Sequence, residues 1–352
     1  MSQSAAFKIR YWGATGTFSD PLLPHEVTGK IVDAIGRLIE KNQLQDLRSG
    51  PGLESAIQAL VERELPFHMR STYGGNTTCL EVETAGELFI FDCGSGFREL
   101  GIDLESRWRA QGETARREAH VMLTHSHMDH TFATPFFLPY YNPANVFTMW
   151  GPQGVIDSLE AVLNPKSAMS HIYFPPTYDE MKALNDFRPI AAGSDFVLGN
   201  TRITTYALNH PGGSMAYRLE TAGHSLVFAT DHEQLQVPDE GLVAFARGCD
   251  LLYTEGQYTQ AEYEGRAGIG GGNGFSRRGW GHSPIESCVA TALAAGVARL
   301  HVGHRDPCRS DAQIAEMDVY LQKLLQEGES NLGRAGGCQA LIPHEGLELH
   351  IG

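Results

Sequence analysis

Several features are scarce in this chain of 352 residues, and each scarcity excludes a class of protein. No stretch approaches the roughly 20 consecutive apolar residues that a membrane helix needs, so we expect no membrane span. The first residues contain no apolar core of a secretory signal. The six cysteines show no CxxC spacing and are too sparse for a disulfide scaffold. These absences predict a cytoplasmic protein.

Basic residues are also scarce. The chain has 27 Lys and Arg against 42 Asp and Glu, which gives a formal net charge of −15. Affinity for a nucleic-acid backbone comes mainly from Lys and Arg that release counterions, so we do not expect a long nucleic acid as a partner. A small anionic substrate held at one local site is compatible with this charge.

The apolar fraction of 42% is ordinary for a chain with a hydrophobic core and excludes disorder.

Two common active-site motifs are missing. No GxSxG segment occurs, and no cysteine stands in an evident nucleophile setting, so the chain offers no candidate for covalent catalysis. The glycine-rich stretch at residues 265–281 predicts a flexible loop, but its glycines do not follow GxGxxG spacing. Since this stretch neither follows a clear strand nor opens a helix, it does not indicate a dinucleotide site.

Apolar periodicity predicts strands that alternate with helices. Between about residues 20 and 68, apolar residues at helical spacing predict a helical hairpin, broken at 41–52 and inserted between two strands. This hairpin serves either packing or dimerisation, and the second role would make the protein a homodimer. Two groups of strands, each followed by helices, predict a layered α/β sandwich in a single domain over residues 1–352. Strands are predicted at 7–12, 77–83, 88–91, 120–124, 147–150, 202–207, 215–219, 225–229, 251–254, 300–302, 338–342 and 347–351, and further helices at 284–297 and 311–326.

Metal-binding residue types are concentrated directly after the predicted strand at 120–124. His125, His127, Asp129 and His130 stand within six residues, a costly cluster for a core because every buried imidazole needs a hydrogen-bond partner. Alternate residues of an extended segment share a side, so His125 and His127 can face one ion, while the following turn brings Asp129 and His130 to a second. Imidazole and carboxylate suit Zn²⁺, Mn²⁺ or Fe²⁺. The segment therefore predicts a metal site, with zinc favoured.

This H-x-H-x-D-H segment resembles the signature of the metallo-β-lactamase-fold hydrolases, and the resemblance extends over nearly the whole chain. In that family a ligand histidine, a bridging aspartate and a final histidine each follow a later strand, as His210, Asp231 and His304 do here. The resemblance implies a four-layer αββα sandwich that holds two divalent metal ions. It places His125, His127 and His210 on one ion, Asp129, His130 and His304 on the other, and Asp231 as the bridge.

Two positions narrow the reaction that the resemblance implies. True β-lactamase sites usually have cysteine where Asp231 stands, so hydrolysis of antibiotics is not expected. The electron-transfer members usually show H-x-E-x-D, whereas this chain has His127 and His130 in that segment. Both differences favour another hydrolytic reaction.

Two further segments resemble ribonuclease Z and related phosphodiesterases, namely residues 250–255 and 281–283. In those proteins the equivalents of Glu255 and His282 form a pair that protonates the leaving oxygen. A positioned acid matters because an alkoxide is a poor leaving group, and general acid catalysis contributes roughly 10²–10⁴-fold. Asp129 is expected to orient the attacking hydroxide. The alternatives are a loop histidine at position 282 and a structural or solvent-facing acid at position 255.

Residues 11–16, 73–77 and 91–96 resemble the ribonuclease Z-like and cyclic-nucleotide-phosphodiesterase-like branch of the family. Asp92 is expected to orient a ligand histidine, or alternatively to form a turn. Contacts with the substrate are expected from Asn76, Thr77, Arg277 and Arg278. The alternatives are a glycine turn that contains Asn76 and Thr77, and solvated loop charges at Arg277 and Arg278.

These residues together predict a dinuclear-metal hydrolase of a small phosphodiester, with a cyclic nucleotide as the first candidate. An RNA 3′-processing endonuclease like ribonuclease Z is one alternative, but the chain lacks a long basic arm and the H-F-S-x-R-Y tail of that family. A carbon-centred hydrolase, such as a lactonase or thioesterase, would use the same metals without the acid pair. A non-catalytic scaffold on this fold would be expected to have lost metal ligands.

Overall fold

The structure is a computed structural model, and it describes residues 6–45, 47, 49–112, 116–166, 169–170, 172, 174–333 and 337–352. Strands and helices alternate along these residues. The strands are β1 (Phe7–Gly13), β2 (Cys79–Thr84), β3 (Glu87–Phe91), β4 (Glu118–Met122), β5 (Val146–Gly151), β6 (Leu184–Pro189), β7 (Asp195–Leu198), β8 (Thr201–Leu208), β9 (Ser214–Thr221), β10 (His224–Ala229), β11 (Leu251–Glu255), β12 (Arg299–Gly303), β13 (Gln339–Leu341) and β14 (Glu348–Ile351). The α-helices are α1 (Pro24–Glu40), α2 (Leu53–Glu64), α3 (Phe67–Arg70), α4 (Gly96–Gln111), α5 (Met128–Thr131), α6 (Gln153–Leu163), α7 (Glu240–Ala246), α8 (Gln260–Tyr263), α9 (Ile285–Ala295) and α10 (Asp311–Asn331).

The strands form two seven-stranded sheets. The first has the order β14-β1-β2-β3-β4-β5-β6 and the second β13-β12-β11-β10-β9-β8-β7. Neighbours from β3 to β6 run parallel, as do neighbours from β10 to β13. Because the carboxyl ends of parallel strands meet at one edge of a sheet, the loops that follow them converge there. This arrangement brings polar residues that are distant in sequence to one edge.

The core between the sheets is built from alternating side chains. In β1, Phe7, Ile9 and Tyr11 are fully buried, while the residues between them are partly exposed. Successive side chains of a strand point to opposite faces, so this alternation turns one face of β1 toward the second sheet. There the three side chains belong to one cluster with Phe228 of β10 and Tyr253 of β11.

Helices cover the outer face of each sheet. Phe97 of α4 and Leu159 of α6 pack with Val121 of β4 on the first sheet. Leu321 of α10, together with residues of α7 and α9, packs with Leu252 of β11 on the second sheet. The resulting order of layers is helices, sheet, sheet, helices. The predicted four-layer αββα sandwich is therefore confirmed.

Two helices, α1 and α2, lie within the residues where a helical insertion is predicted. They meet at a small separate cluster that contains Leu38, Leu60 and Leu65. Nearer the start of α1, Ile31 and Ile35 are about half exposed. Residues 46 and 48 of the predicted break lie outside the described residues. The division of the chain into one domain with this insertion stays a prediction.

Membrane-spanning helices and disulfides are not expected from the sequence. Among the described helices, none is both long and apolar enough to cross a lipid bilayer. All six cysteines lie in the described part of the chain and are free thiols. Four of them are buried, as is usual for cysteines that serve only in packing.

Candidate metal centre

Asp92, directly after β3, fixes the loop that carries the histidine cluster. Its Oδ1 accepts the backbone N–H of Thr124 at 2.8 Å, and its Oδ2 accepts the Thr124 hydroxyl at 2.9 Å. The same Oδ2 lies 2.8 Å from Nδ1 of His130. One buried carboxylate thus holds both ends of the loop. A carboxylate on the far nitrogen of a histidine is the usual way in which proteins orient a metal ligand.

The first group of donor atoms comes from three histidines and one aspartate. The loop after β4 supplies His125 and His127, His210 follows β8, and Asp231 follows β10. Nε2 of His210 lies 3.0 Å from Nδ1 of His127. Oδ2 of Asp231 lies 3.4 Å from Nε2 of His125 and 3.6 Å from Nε2 of His210. We call these four residues the first donor group.

The second donor group consists of Asp129, His130 and His304, again with Asp231. Oδ2 of Asp129 lies 3.3 Å from Nε2 of His130 and 3.1 Å from Nε2 of His304, and the two nitrogens are 3.2 Å apart. Oδ1 of Asp231 lies 3.3 Å from each of these nitrogens. Each carboxylate oxygen of Asp231 therefore faces a different group, which is the geometry of a bridging ligand.

The distances fit metal coordination. In a tetrahedral zinc site with bonds of about 2.0–2.1 Å, ligand atoms lie about 3.3 Å apart. The separations within both groups have this size. In addition, Nε2 of His125 is buried and makes no hydrogen bond to any described residue. An orphaned buried nitrogen is costly unless something binds it. These donors could hold divalent cations.

Burial and neighbouring charges set the protonation of the donors. Burial, together with His130, lowers the pKa of His125 well below its usual value, so this imidazole is neutral and has a lone pair for a metal. Burial opposes ionisation of Asp231, but His130 and His304 outweigh it and hold the pKa of this carboxyl well below its usual range. The site thus combines a neutral imidazole at His125 with an ionised carboxylate at Asp231, the forms that metals bind.

His282 and Glu255 form a pair beside the donor groups. Nδ1 of His282 lies 3.0 Å from Oε2 of Glu255. Glu255 is fully buried, and its Oε1 accepts the backbone N–H groups of His232 at 2.8 Å and Ser283 at 3.1 Å. Burial disfavours a charged imidazole, but Glu255 and Asp231 outweigh burial and raise the pKa of His282 to about 9. The pair is therefore rigid and can hold a proton.

His282 also lies close to the donors themselves. Its ring stacks on that of His304 with centroids 4.8 Å apart, and its Nδ1 is 4.0 Å from Oδ2 of Asp231. Donor atoms of Asp231, His282 and His304 fall within 4.8 Å of one another. The geometry therefore allows His282 to act either as a proton donor or as an additional metal ligand.

The side chains of Asn76 and Thr77 form hydrogen bonds with other residues of the chain. The Asn76 side-chain amide donates to Glu345 at 3.0 Å and accepts the Ser95 hydroxyl at 2.9 Å. Oγ1 of Thr77 accepts the backbone N–H of Ser95 at 2.8 Å. These contacts connect the segment before β2 to the start of α4. Substrate contact by either residue stays a prediction.

The two arginines of the glycine-rich loop differ in environment. Arg277 is buried, donates to the backbone oxygens of Glu262 and Phe275, and lies 4.3 Å from the centroid of the Phe275 ring. Arg278 is exposed and pairs with Glu264 at 3.6 Å. The structure thus gives Arg277 a place in the packing of the loop. Contact of either arginine with substrate also stays a prediction.

Two residues that support the centre carry no signal in the sequence. Glu233 accepts the backbone N–H groups of Gly279 at 2.8 Å and Gly281 at 3.0 Å, and so anchors the glycine-rich loop directly before His282. The backbone N–H of Thr17 donates to Oδ2 of Asp129 at 2.7 Å. Both contacts join segments that are far apart in the chain, so only the folded structure reveals them.

Comparison with known sequences identifies relatives. A model of the beta-lactamase superfamily domain matches residues 88–304, more than half of the chain. Ribonuclease Z of Synechococcus sp. (strain CC9311) is 23% identical over an alignment of 281 residues that covers 66% of this chain and 82% of the relative. Ribonuclease Z of Limosilactobacillus fermentum is 25% identical over 146 residues, which are 41% of this chain and 42% of the relative.

Comparison with solved structures identifies the same fold over whole chains. Unliganded yeast PDE1 has a TM-score of 0.60 at 12% identity, with 99% of this chain and 100% of that chain covered. Zn²⁺-bound PqqB from Methylobacterium extorquens has a TM-score of 0.57 at 15% identity, with 98% and 100% covered. A diphosphatase from the PhnP family has a TM-score of 0.54 at 14% identity, with 98% of both chains covered.

The superfamily match includes every residue of both donor groups. The donors follow strands of both sheets at one edge, as the resemblance in the sequence implied. The chain belongs to the beta-lactamase superfamily, and the predicted class of a metal-dependent hydrolase on the metallo-β-lactamase fold is confirmed.

Proposed function

We propose that this protein is a phosphodiesterase with two divalent metal ions that hydrolyses a small phosphodiester, such as a cyclic nucleotide. The observation that carries the proposal is the geometry of Asp231, whose two oxygens face two donor groups, next to the His282–Glu255 pair. The named relatives support the choice of phosphodiester chemistry, since they include ribonuclease Z and PDE1.

The residues of this chain have distinct tasks in the proposed reaction. Two divalent ions, with zinc favoured and manganese or iron as alternatives, supply Lewis acidity toward phosphoryl oxygens and lower the pKa of bound water. Asp129 accepts a hydrogen bond from the attacking water and orients it. Glu255 accepts a hydrogen bond from Nδ1–H of His282. The proton on Nε2 of the same ring is then available for the departing ester oxygen. Asp92 keeps His130 in position.

Charge favours a small substrate over a long RNA. The formal net charge is −15, so a polyanion is repelled over most of the surface. A ribonuclease Z-like activity on RNA 3′ ends is the second candidate, and the named sequence relatives support it. Hydrolysis of a lactone or thioester gives no role to the His282–Glu255 pair. A lactonase or thioesterase function is therefore less well supported than a phosphodiesterase function.

Two further parts of the proposal concern the state of the protein. We expect a cytoplasmic location, which the free thiols of all six cysteines support. The helical insertion serves either packing or dimerisation, and in the second case the exposed aliphatic residues Ile31 and Ile35 of α1 offer a contact surface for a homodimer. Sedimentation velocity of the purified protein distinguishes these two cases directly.

A panel of phosphodiesters tests the function. Purified protein with measured metal content is assayed on bis(p-nitrophenyl) phosphate, the 3′,5′-cyclic nucleotides and a tRNA precursor, with a lactone and a thioester for comparison. We expect turnover of at least one small diester, and loss of that turnover after chelation. If every phosphodiester is left intact, the phosphodiesterase proposal fails. Cleavage of the tRNA precursor alone would favour the second candidate.

A further inference from the structure

A cleft of about 740 Å³ is lined in part by the chain segments that carry the histidines of the first donor group. Ser126, which separates two donor histidines in the sequence, lines the cleft, and so does Gly212, two residues after His210. Ser214 also lines it and donates its hydroxyl to the backbone oxygen of Thr230 at 3.1 Å, directly before Asp231. The cleft is therefore formed in part by immediate chain neighbours of the donor residues His125, His127 and His210.

The walls of this cleft are neutral. All of its lining residues lie in the described part of the chain, and none of them carries a charged side chain. Val155, Ile190, Ala192 and Met215 provide apolar surface. Hydroxyl and amide groups stand among them on Ser126, Ser158 and Gln153. Such walls suit a flat neutral ring that has polar atoms on its edge, because apolar surface covers the ring faces and neutral donors or acceptors meet the edge.

His210 connects the His282–Glu255 pair with the loop segment that supplies Ser126 to the cleft. The ring centroid of His210 lies 4.8 Å from that of His127, the chain neighbour of Ser126, and 5.2 Å from that of His282. A phosphodiester has two ester arms on one phosphorus. With the phosphoryl group at the donor groups, one arm can reach His282 while the other enters the cleft.

We propose that this cleft is a nucleoside subsite: it binds the base and sugar of a substrate whose phosphodiester lies at the metal centre. The inference rests on the proposed function and goes beyond it, because it assigns the substrate class and the residues that select it. The volume lies within the range of about 300–1,000 Å³ of ligand pockets. The phosphate charge is met at the metal centre, so neutral walls are sufficient for the remaining part of a nucleotide.

Two esters with the same leaving group test the subsite. Thymidine 5′-(p-nitrophenyl phosphate) places a nucleoside on the second arm, whereas methyl p-nitrophenyl phosphate places only a methyl group there. Ala192 is exposed on the cleft wall, so Ala192→Trp fills the cleft without contact to a donor residue. Ser158→Trp, in α6, is a second variant at the cleft. Val319→Trp, on the exposed surface of α10, is the matched control.

We expect wild type to favour the thymidine ester in kcat/KM by about tenfold or more, a typical value for one well-placed binding group. Ala192→Trp and Ser158→Trp should lose this preference while turnover of the methyl ester stays within about twofold, and Val319→Trp should match wild type. Equal turnover of the two esters by wild type would overturn the inference. Equal loss on both esters in both cleft variants would overturn it as well.

Binding separates this inference from the proposed function. Calorimetry with thymidine 5′-monophosphate measures occupancy of the cleft without any turnover. If neither these esters nor any other phosphodiester of the panel is hydrolysed, but the nucleotide binds to wild type and not to Ala192→Trp, the proposed function fails and the subsite stands. If esters are hydrolysed but the nucleotide binds equally to wild type and both cleft variants, the subsite fails and the proposed function stands.

Discussion

Replacing His282 with alanine tests the proposed proton donor. In the structure, Nδ1 of His282 lies 3.0 Å from Glu255, and Glu255 is itself fixed by the backbone N–H groups of His232 at 2.8 Å and Ser283 at 3.1 Å. Because this acceptor cannot turn away, the imidazole is held in one orientation. A positioned general acid contributes roughly 10²–10⁴-fold. Its loss should raise the barrier for departure of an alkoxide by about 3–5 kcal/mol.

The assay compares two leaving groups on the metal-loaded protein. A 3′,5′-cyclic nucleotide releases an alkoxide, which needs a proton, whereas a p-nitrophenyl ester releases a stable phenolate, which does not. His282→Ala should therefore lose about 10²–10⁴-fold in kcat on the cyclic nucleotide and only a few-fold on the p-nitrophenyl ester. His350→Ala is the matched control, because His350 is exposed on β14 and away from the centre.

Three results would refute this reasoning. Equal losses on both substrates would show that His282 does not act on the leaving group. A fall in metal content of His282→Ala, measured on the same samples by elemental analysis, would instead place His282 with Asp231 and His304 as a ligand, a role that their proximity allows. Unchanged turnover of the cyclic nucleotide would remove His282 from the mechanism altogether.

Three further substitutions test the centre and its surroundings. Asp231→Asn should lower metal content from about two ions to one or fewer per chain, by elemental analysis, because each carboxylate oxygen faces one donor group. Asp92→Ala should weaken metal affinity about 10–100-fold in a chelator competition, since His130 loses its 2.8 Å partner. Burial, with Arg299, lowers the pKa of His301 to about 3. An unfolded histidine titrates near 6.5, so the unfolded chain binds more protons at this position. Between pH 7 and pH 5, His301 alone should therefore lower the stability of the metal-free fold by about 2 kcal/mol, a contribution that His301→Gln should remove in urea unfolding.

The donor residues could be predicted from the sequence because each one follows an apolar strand. A strand that ends in histidine or aspartate is a strong local signal, and the parallel order of β10, β11 and β12 brings such ends together. Strand bounds were less accurate. The strand predicted at residues 120–124 ends at Met122 in the structure, and Asp92 rather than a neighbouring strand accepts the N–H of Thr124.

Helix α4 shows what the sequence does not reveal. It contains Gly96 and Gly101, and glycine disfavours a helix by about 1 kcal/mol relative to alanine, so the helical pattern is weak. The structure explains both residues by close packing. A Cβ on Gly96 would lie 2.3 Å from the backbone oxygen of Trp12, and one on Gly101 would lie 2.8 Å from the ring of Phe137. Tertiary contacts of this kind have no local signature.

The placement of charge explains how an acidic chain can select a small anion. Arg277 is buried in its own loop and Arg278 pairs with Glu264, so neither guanidinium is free of protein contacts. The donor groups contain two carboxylates, Asp129 and Asp231, so two divalent ions would leave a local charge of about +2. That charge matches one phosphodiester, while the −15 of the whole chain opposes every further phosphate of a polymer. Recognition beyond the first phosphate must therefore come from neutral contacts, and the uncharged cleft beside His210 is the surface that can provide them.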